Sequence, residues 1–307
     1  MTDSENDSDP VEDTLLPSPE RDIQPRKETR VKRILPLALA VLLFALFLYA
    51  YGPCNLRRNG CVKPMSFFQV LAFPTKENVM AFLTGNTVKR PRPTYPSSIG
   101  EKFHKDGRPR DNPGNTVICH VKSNSEEYGT LKGIQEDLKK QSFSYAFSYL
   151  PPHSFHMTVA DGLIASSRKQ QAWSSYVPEN ATMKEATDIF IGRLEGFKAF
   201  RTIRVRPVTV MGGISVKIEG VDKENDWKLW QARNALLARL GIKSGEYGFH
   251  ISLAYQTRWL NMSMANAVYR HSQKFNSMLS KMEIELGPPE FCEFQTMHNF
   301  EIVKLLG

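Results

Sequence analysis

The chain has 307 residues, of which 41% are hydrophobic and 23% charged, and this composition excludes a protein that is disordered throughout. Residues 1–33 are different: with nine acidic residues, six basic ones and few large apolar ones, they are predicted to form a disordered acidic tail. The overall net charge of +8 therefore leaves +11 for the rest of the chain. That surplus suits an anionic ligand such as a phosphate ester or RNA, although a generally basic solvated surface explains it equally well.

Residues 34–51 form an uninterrupted run of 18 residues without a charge, about the minimum length that spans a bilayer. The run lies far from the N-terminus and lacks the small residues of a cleavage site, which favours an uncleaved transmembrane helix over a signal peptide. Five basic residues precede it closely and three follow it. This asymmetry predicts a single-pass membrane protein with a cytosolic N-terminus and a folded domain in the secretory lumen or outside the cell.

Two features agree with that placement of the folded domain. Cys54 and Cys61 could close a small disulfide loop in an oxidising compartment. Asn180 and Asn261 begin Asn-x-Ser/Thr sequences and are candidate N-glycosylation sites. The chain contains no CxxC or HExxH spacing, so no metal and no cofactor is predicted.

Residues 52–96 are predicted to be a linker, proline-rich and extended at 89–96, and a compact domain is predicted for residues 97–307. Within that domain, short strands alternate with amphipathic helices. Helices are predicted at 125–141, 183–200, 226–240 and 265–282. Strands are predicted at 117–121, 143–149, 154–160, 203–211, 215–219, 249–255, 283–286, 291–295 and 301–305.

Two of these strands contain a string of the same form: histidine, apolar, hydroxyl, apolar. The strings are His-Met-Thr-Val at 156–159 and His-Ile-Ser-Leu at 250–253, and none of the other five histidines fits the pattern. A random chain of this composition is expected to hold roughly 0.15 such strings. Because residues i and i+2 of a strand share a face, each string projects a histidine and a hydroxyl from one side. The pair predicts two imidazoles and two hydroxyls around one cavity.

On these motifs the chain resembles the 2H phosphoesterase superfamily, which is named for two such strings. The sequences GEKF at 100–103, GNTVICH at 114–120, LPPHSFHMT at 150–158, FHISLAY at 249–255 and FCEFQTM at 291–297 resemble its DUF1868 branch over about residues 97–307. The resemblance implies an α+β, bilobal LigT-like fold in which two antiparallel sheets face each other across a cleft, with helices outside. It also implies metal-independent cleavage or transfer at 2′,3′-cyclic or 2′,5′ phosphodiesters.

The motifs match the superfamily at His156 and His250, the expected catalytic residues, and at Thr158 and Ser252, the expected substrate-binding hydroxyls. One imidazole is expected to take a proton from the attacking water or hydroxyl while the other donates one to the leaving oxygen, and the sequence does not decide which. The two hydroxyls would donate hydrogen bonds to the nonbridging oxygens. Lys102 and Asn115 match the family sequences and are candidates for lining the cleft.

The function predicted for the domain is that of a phosphoric diester hydrolase acting on a nucleotide or RNA phosphodiester, without a protein partner. A catalytically inactive, membrane-anchored module that binds phosphorylated ligands or nucleic acid is the alternative. Strand alternation places Tyr255 on the face opposite His250, which predicts a packing role. Trp227 and Trp230, three residues apart on a helix, are predicted to be core residues.

Overall fold

A computed structural model of the chain describes residues 74–86, 93–168, 173–243 and 245–307, all of which belong to the unit Cys61–Gly307. Its helices are α1 (Lys76–Thr84), α2 (Glu126–Lys139), α3 (Met183–Arg193), α4 (Lys223–Leu240), α5 (Met262–Gln273) and α6 (Asn276–Leu279). Its strands are β1 (Gly114–His120), β2 (Phe147–Tyr149), β3 (His156–Ile164), β4 (Ile203–Met211), β5 (Ser215–Gly220), β6 (His250–Ser252), β7 (Ala254–Gln256), β8 (Ile284–Leu286), β9 (Glu290–Phe294) and β10 (Glu301–Leu305).

Eight of the strands form one antiparallel sheet in the order β10-β9-β1-β3-β6-β5-β4-β8, and β2 pairs with β7 in a second, small sheet. The predicted α+β class is confirmed. The prediction of two separate sheets facing each other is wrong in one respect, because the two four-stranded halves are joined edge to edge. The pair Met157↔Ile251, on β3 and β6, makes that junction, so the two motif strands are neighbours at the centre of a single sheet.

The apolar residues of both motifs are buried on one face of this sheet, as their alternation predicts. All four belong to the larger apolar cluster and are fully buried: Met157, Val159, Ile251 and Leu253. Helix α4 packs over this face against β3, β4 and β5. A smaller cluster, which includes Phe294, Met297 and Phe300 among others, covers part of the opposite face beside β1.

Helix-capping and turn residues in the sequence account for several boundaries of helices and strands. Helix α4 ends at Gly241, whose left-handed φ of 67° stops it where the predicted helix ends, but it begins after the N-cap Asp222, earlier than the predicted start at residue 226. The hairpin between β4 and β5 turns at Gly212 and Gly213, which have φ angles of 56° and 68°. These positive angles are open to glycine without steric cost.

The second motif strand is shorter than predicted because the chain changes partner at Leu253. The amides of Leu253 and Ala254 both donate to the carbonyl of Ile214, at 2.6 and 3.0 Å. Strand β6 therefore pairs with β3 and β5, whereas β7 pairs with β2. The predicted strand at 143–149 is also partly wrong, since residues 144–146 form a 3₁₀ turn before β2.

Part of the predicted linker is folded. Helix α1 begins after the N-cap Thr75, ends at Gly85 and packs against α5. The predicted acidic tail at 1–33, the predicted membrane span at 34–51 and the candidate disulfide of Cys54 with Cys61 lie outside the described residues. Within the ranges that are described, no helix combines the length and the apolar character that crossing a membrane requires.

Candidate active site

The antiparallel register at the centre of the sheet brings the two motifs together. Because Met157 pairs with Ile251, His156 lies opposite Ser252 and Thr158 lies opposite His250 on the other face of the sheet. Side chains in such directly opposed positions have Cβ atoms about 4.5–5.5 Å apart, and diagonal neighbours such as the two histidines are about 7–8 Å apart. The four polar side chains thus form a compact quartet.

Both motif histidines are held in the same way. His156 Nδ1 donates to the carbonyl of Ser154 at 2.7 Å, and His250 Nδ1 donates to the carbonyl of Gly248 at 2.8 Å. A carbonyl oxygen only accepts, so this contact assigns the proton of each neutral ring to Nδ1 and the lone pair to Nε2. In each motif, the carbonyl two residues before the histidine fixes the ring, and Nε2 is the nitrogen available for acid–base chemistry.

A cavity of about 260 Å³ is lined by Thr158, His250, Ser252 and Lys102, four of the six residues predicted for the site. Ser215, which sequence reasoning missed, also lines the cavity, and its hydroxyl lies 3.5 Å from that of Ser252. Strand β5 supplies this serine directly opposite Ser252 in the register. No motif marks Ser215, since only the strand pairing brings it to the site.

His156 lies beside the cavity and is not among its lining residues. Its ring packs against Phe300, with ring centroids 4.4 Å apart, and against His120, at 6.2 Å. The charges of His250 and Lys102 both act on His156, which places it within electrostatic reach of the cavity. The two imidazoles therefore occupy unequal positions, because His250 lines the cavity and His156 does not.

Asn115 does not line the cavity, contrary to the prediction. Its side chain is buried, with Nδ2 donating to Thr187 Oγ1 at 3.1 Å and Oδ1 accepting from the amide of Leu163 at 2.9 Å. These contacts join β1 to α3 and to β3. The role of Asn115 is to hold the packing of the sheet on α3.

Residues 102–214 match the family described as 2H-phosphodiest, Domain of unknown function (DUF1868). This segment of the chain is therefore similar to a family of the 2H phosphodiesterase type. The match contains the first motif and ends before the second, so the strand pairing of β3 with β6 is what connects His250 to the matched segment.

The chain is also similar in fold to a solved structure. The crystal structure of the conserved protein of unknown function ATU0111 from Agrobacterium tumefaciens str. C58 superposes with a TM-score of 0.68. The two sequences are 23% identical, and the similarity covers 74% of this chain and 98% of that one. No curated protein matches the chain.

Burial sets the protonation of both motif histidines. It lowers the pKa of His156 to about 3, against the bond to the Ser154 carbonyl and with the help of the neighbouring His120. Burial likewise lowers the pKa of His250 to about 4. Both rings are therefore neutral at pH 7 before a ligand binds. An anionic phosphodiester in the cavity would raise both pKa values and draw a proton onto the pair.

Lys102 is the cation of the cavity. Burial acts to lower its pKa, but the nearby Tyr255 hydroxyl and the carboxylates of Glu101 and Asp161 outweigh this and raise the pKa above its ordinary value. The ammonium group lies 4.8 Å from the centre of the Tyr255 ring. Tyr255 packs against the smaller apolar cluster, as predicted, and it also lines the cavity because the strand in which the packing role was expected breaks at Leu253.

Two further residues, Arg233 and Tyr247, support the backbone of the first motif. Arg233 on α4 is buried and donates to the carbonyl of Val159 at 3.0 Å and to Asp161 at 2.9 Å. Its guanidinium lies 3.4 Å from the centre of the Tyr247 ring, and the Tyr247 hydroxyl donates to the carbonyl of Thr158 at 2.8 Å. No local motif predicts that these residues contact the first motif, because they come from distant parts of the chain. Over the described part of the chain, no three His, Cys, Asp or Glu side chains are grouped as metal ligands.

Proposed function

We propose that the domain is a phosphodiesterase that cleaves cyclic or 2′,5′-linked nucleotide phosphodiesters by acid–base catalysis with His156 and His250, without a metal. The observation that carries the proposal is the register that sets His156 opposite Ser252 and Thr158 opposite His250 beside one cavity. The family match supports the phosphodiester class of substrate.

The proposed reaction balances without a cofactor. Water attacks phosphorus, the Nε2 lone pair of one histidine takes the water proton, and a new P–O bond forms. The other histidine, protonated when the substrate anion binds, gives its proton to the leaving ribose oxygen as that P–O bond breaks. Thr158 and Ser252 donate to the nonbridging oxygens, and the Lys102 ammonium offsets the charge that grows on them.

The experiment measures turnover of a panel of 2′,3′-cyclic and 2′,5′-linked nucleotides by the full chain and by its His156→Gln and His250→Gln variants. Turnover by the wild type and its loss in both variants support the proposal. The competing function is that of an inactive module that binds phosphorylated ligands. Binding without turnover, unchanged in the two variants, would establish the module and reject the enzyme.

We also propose that residues 34–51 anchor the domain in a membrane and that the domain lies on the luminal or outer side. Asn180 is exposed in a turn, and Asn261 is exposed at the N-cap of α5. Glycan at these residues should give a gel-mobility shift on deglycosylation that is lost in the doubly substituted Asn180→Gln, Asn261→Gln chain. An unshifted wild type from a secretory-competent cell would count against the luminal side.

A further inference from the structure

The catalytic cavity has a second wall, built by residues that neither motif contains. Phe82 on α1 and Trp259 in the loop after β7 line the same cavity as Thr158, His250 and Ser252. Both lie outside the segment 102–214 that matches the family. We call these two side chains, Phe82 and Trp259, the aromatic wall.

Trp259 is held in place by contacts on several sides. Its indole Nε1 donates to the carbonyl of Pro93 at 2.7 Å. The carbonyl of Leu83, at the end of α1, accepts from the amide of Leu260 at 3.0 Å and from Gln256 Nε2 at 2.7 Å. These bonds tie the loop that carries Trp259 to α1, so the ring is positioned before any ligand arrives.

Gly85 lies against the face of that indole. It caps α1 with a left-handed φ of 66°, and a Cβ atom built there would lie 2.8–2.9 Å from three carbon atoms of the Trp259 rings. Such a distance is a collision, so only glycine permits this approach. Backbone therefore covers one face of the indole.

Trp259 has no part in the hydrophobic core. It is partly buried, and it belongs to neither of the two apolar clusters formed by the described residues, whereas Trp230 and Trp173 pack against the larger one. A large, fixed aromatic ring outside the core and in the wall of a cavity is the arrangement that binds a flat ring by stacking. Lys102 in the same cavity supplies a cation for a phosphate.

We propose that Trp259, with Phe82, is the surface on which the base of a nucleoside phosphodiester stacks, so that the domain selects nucleoside substrates over phosphodiesters without a base. The inference rests on the proposed function for the site at which it acts. It adds the residues that select a nucleoside phosphodiester over one without a base. The bound nucleoside phosphate would span the cavity, with its phosphate at the motif hydroxyls and its base at the aromatic wall.

The test compares two substrates that differ only in the base: adenosine 2′,3′-cyclic phosphate and 1-O-methylribose 2,3-cyclic phosphate. Stacking of a base on an aromatic side chain corresponds to about ten- to hundredfold in binding. In Trp259→Leu, kcat/KM for the adenosine substrate should fall by about that factor, while kcat/KM for the base-free substrate changes by less than about twofold. Phe82→Leu should act in the same direction.

Two further variants keep the result interpretable. Trp227→Leu is the matched control, because Trp227 is 61% exposed on α4 and does not line the cavity. It should leave both substrates unaffected. Trp259→Phe keeps a ring against Gly85 and should retain most of the preference for adenosine, even if the leucine variant folds poorly.

An equal loss for both substrates in Trp259→Leu, or a wild type that cleaves the base-free substrate as well as the nucleoside, would overturn the stacking proposal while leaving the phosphodiesterase intact. If neither substrate is cleaved, the proposed function fails. The stacking proposal is then tested by binding affinity alone. Calorimetry with adenosine 2′-phosphate and with ribose 2-phosphate should then still show tighter binding of the nucleotide, lost in Trp259→Leu. Equal affinity for the two would reject the aromatic wall.

Discussion

His120 and His156 occupy opposed positions in the antiparallel register of β1 and β3, with their rings 6.2 Å apart and inclined at 71°. The Nδ1 atom of His120 is bonded to the carboxylate of Glu290. Lys102 acts on both motif histidines, but His250 is also affected by the charges of Asp161 and Arg233. The two motif histidines therefore differ in electrostatic surroundings although the chain holds their rings alike.

Replacing His120 should raise the pKa of His156. The charge of His120 is one of the causes that hold this pKa at about 3, after burial. In His120→Gln the pKa should rise but stay below the ordinary 6.5, because burial persists. The pKa of His156 can be measured by following its imidazole signals in an NMR titration. His120→Lys, which places a cation beside Glu290, should leave the pKa of His156 low. A fall in His120→Gln would refute the assignment.

His156→Gln and His250→Gln should each reduce turnover by about 10²- to 10⁴-fold, the range typical of a lost acid or base. Glutamine keeps a polar side chain of similar size but cannot exchange a proton near neutrality. The matched control is His153→Gln, since His153 is exposed and its Nε2 bonds the carbonyl of His298. Steady-state rates on a cyclic nucleotide decide the matter, and near-normal rates in either motif variant would exclude the two-histidine mechanism.

The rate profiles for kcat/KM and for kcat should peak at different pH values. In the free protein the pKa values of about 3 and about 4 leave both histidines neutral at pH 7, so the singly protonated pair becomes rarer as pH rises. The value of kcat/KM, which reports the free protein, should therefore fall across the neutral range. The profile of kcat should peak at higher pH, because the bound phosphate anion raises both pKa values. Coincident optima at or above pH 7 would contradict this account.

Stability should also depend on pH through these rings. The unfolded chain binds a proton at each histidine near pH 6.5, whereas the folded chain binds it only near pH 3 and 4. Acid thus favours the unfolded state. The contribution of these neutral rings to the free energy of unfolding is complete above about pH 6.5 and is lost progressively as pH falls towards 4. Melting temperatures at pH 7 and pH 5 should differ less in His156→Gln than in the wild type. An equal or larger difference in the variant would argue against a depressed pKa.

The sequence predicted what local periodicity controls. The buried faces of both motifs, the hairpin at Gly212 and the end of α4 at Gly241 follow from alternation and from glycine at left-handed positions. Trp227, three residues from Trp230, shows where periodicity misleads: it is 61% exposed, and only Trp230 packs on the core. Helical spacing predicts which residues share a face of the helix, but only the packing of the helix on the sheet determines which face is buried.

Strand pairing across 94 residues was beyond local reasoning. The motifs implied that His156 and His250 meet, but not that they do so edge to edge in one sheet. The change of partner at Leu253 depends on the carbonyl of Ile214, and this turns Tyr255 towards the cavity. The family sequences named Lys102 and Asn115 together, and only the fold separates a cavity residue from a packing residue.

Lys102→Met and Asn115→Ala should consequently have opposite effects. Methionine keeps the apolar stem of Lys102 but removes the ammonium that lines the cavity. A lost charge-assisted contact costs about 1.5–3 kcal/mol, so kcat/KM should fall by about ten- to a hundredfold with little change in melting temperature. Asn115→Ala leaves the Leu163 amide and the Thr187 hydroxyl without a buried partner, which should lower the free energy of unfolding by about 1–3 kcal/mol. Its kcat/KM, measured well below the melting temperature, should stay near that of the wild type. A variant pair with these two effects exchanged would place Asn115 in the site and Lys102 in the scaffold.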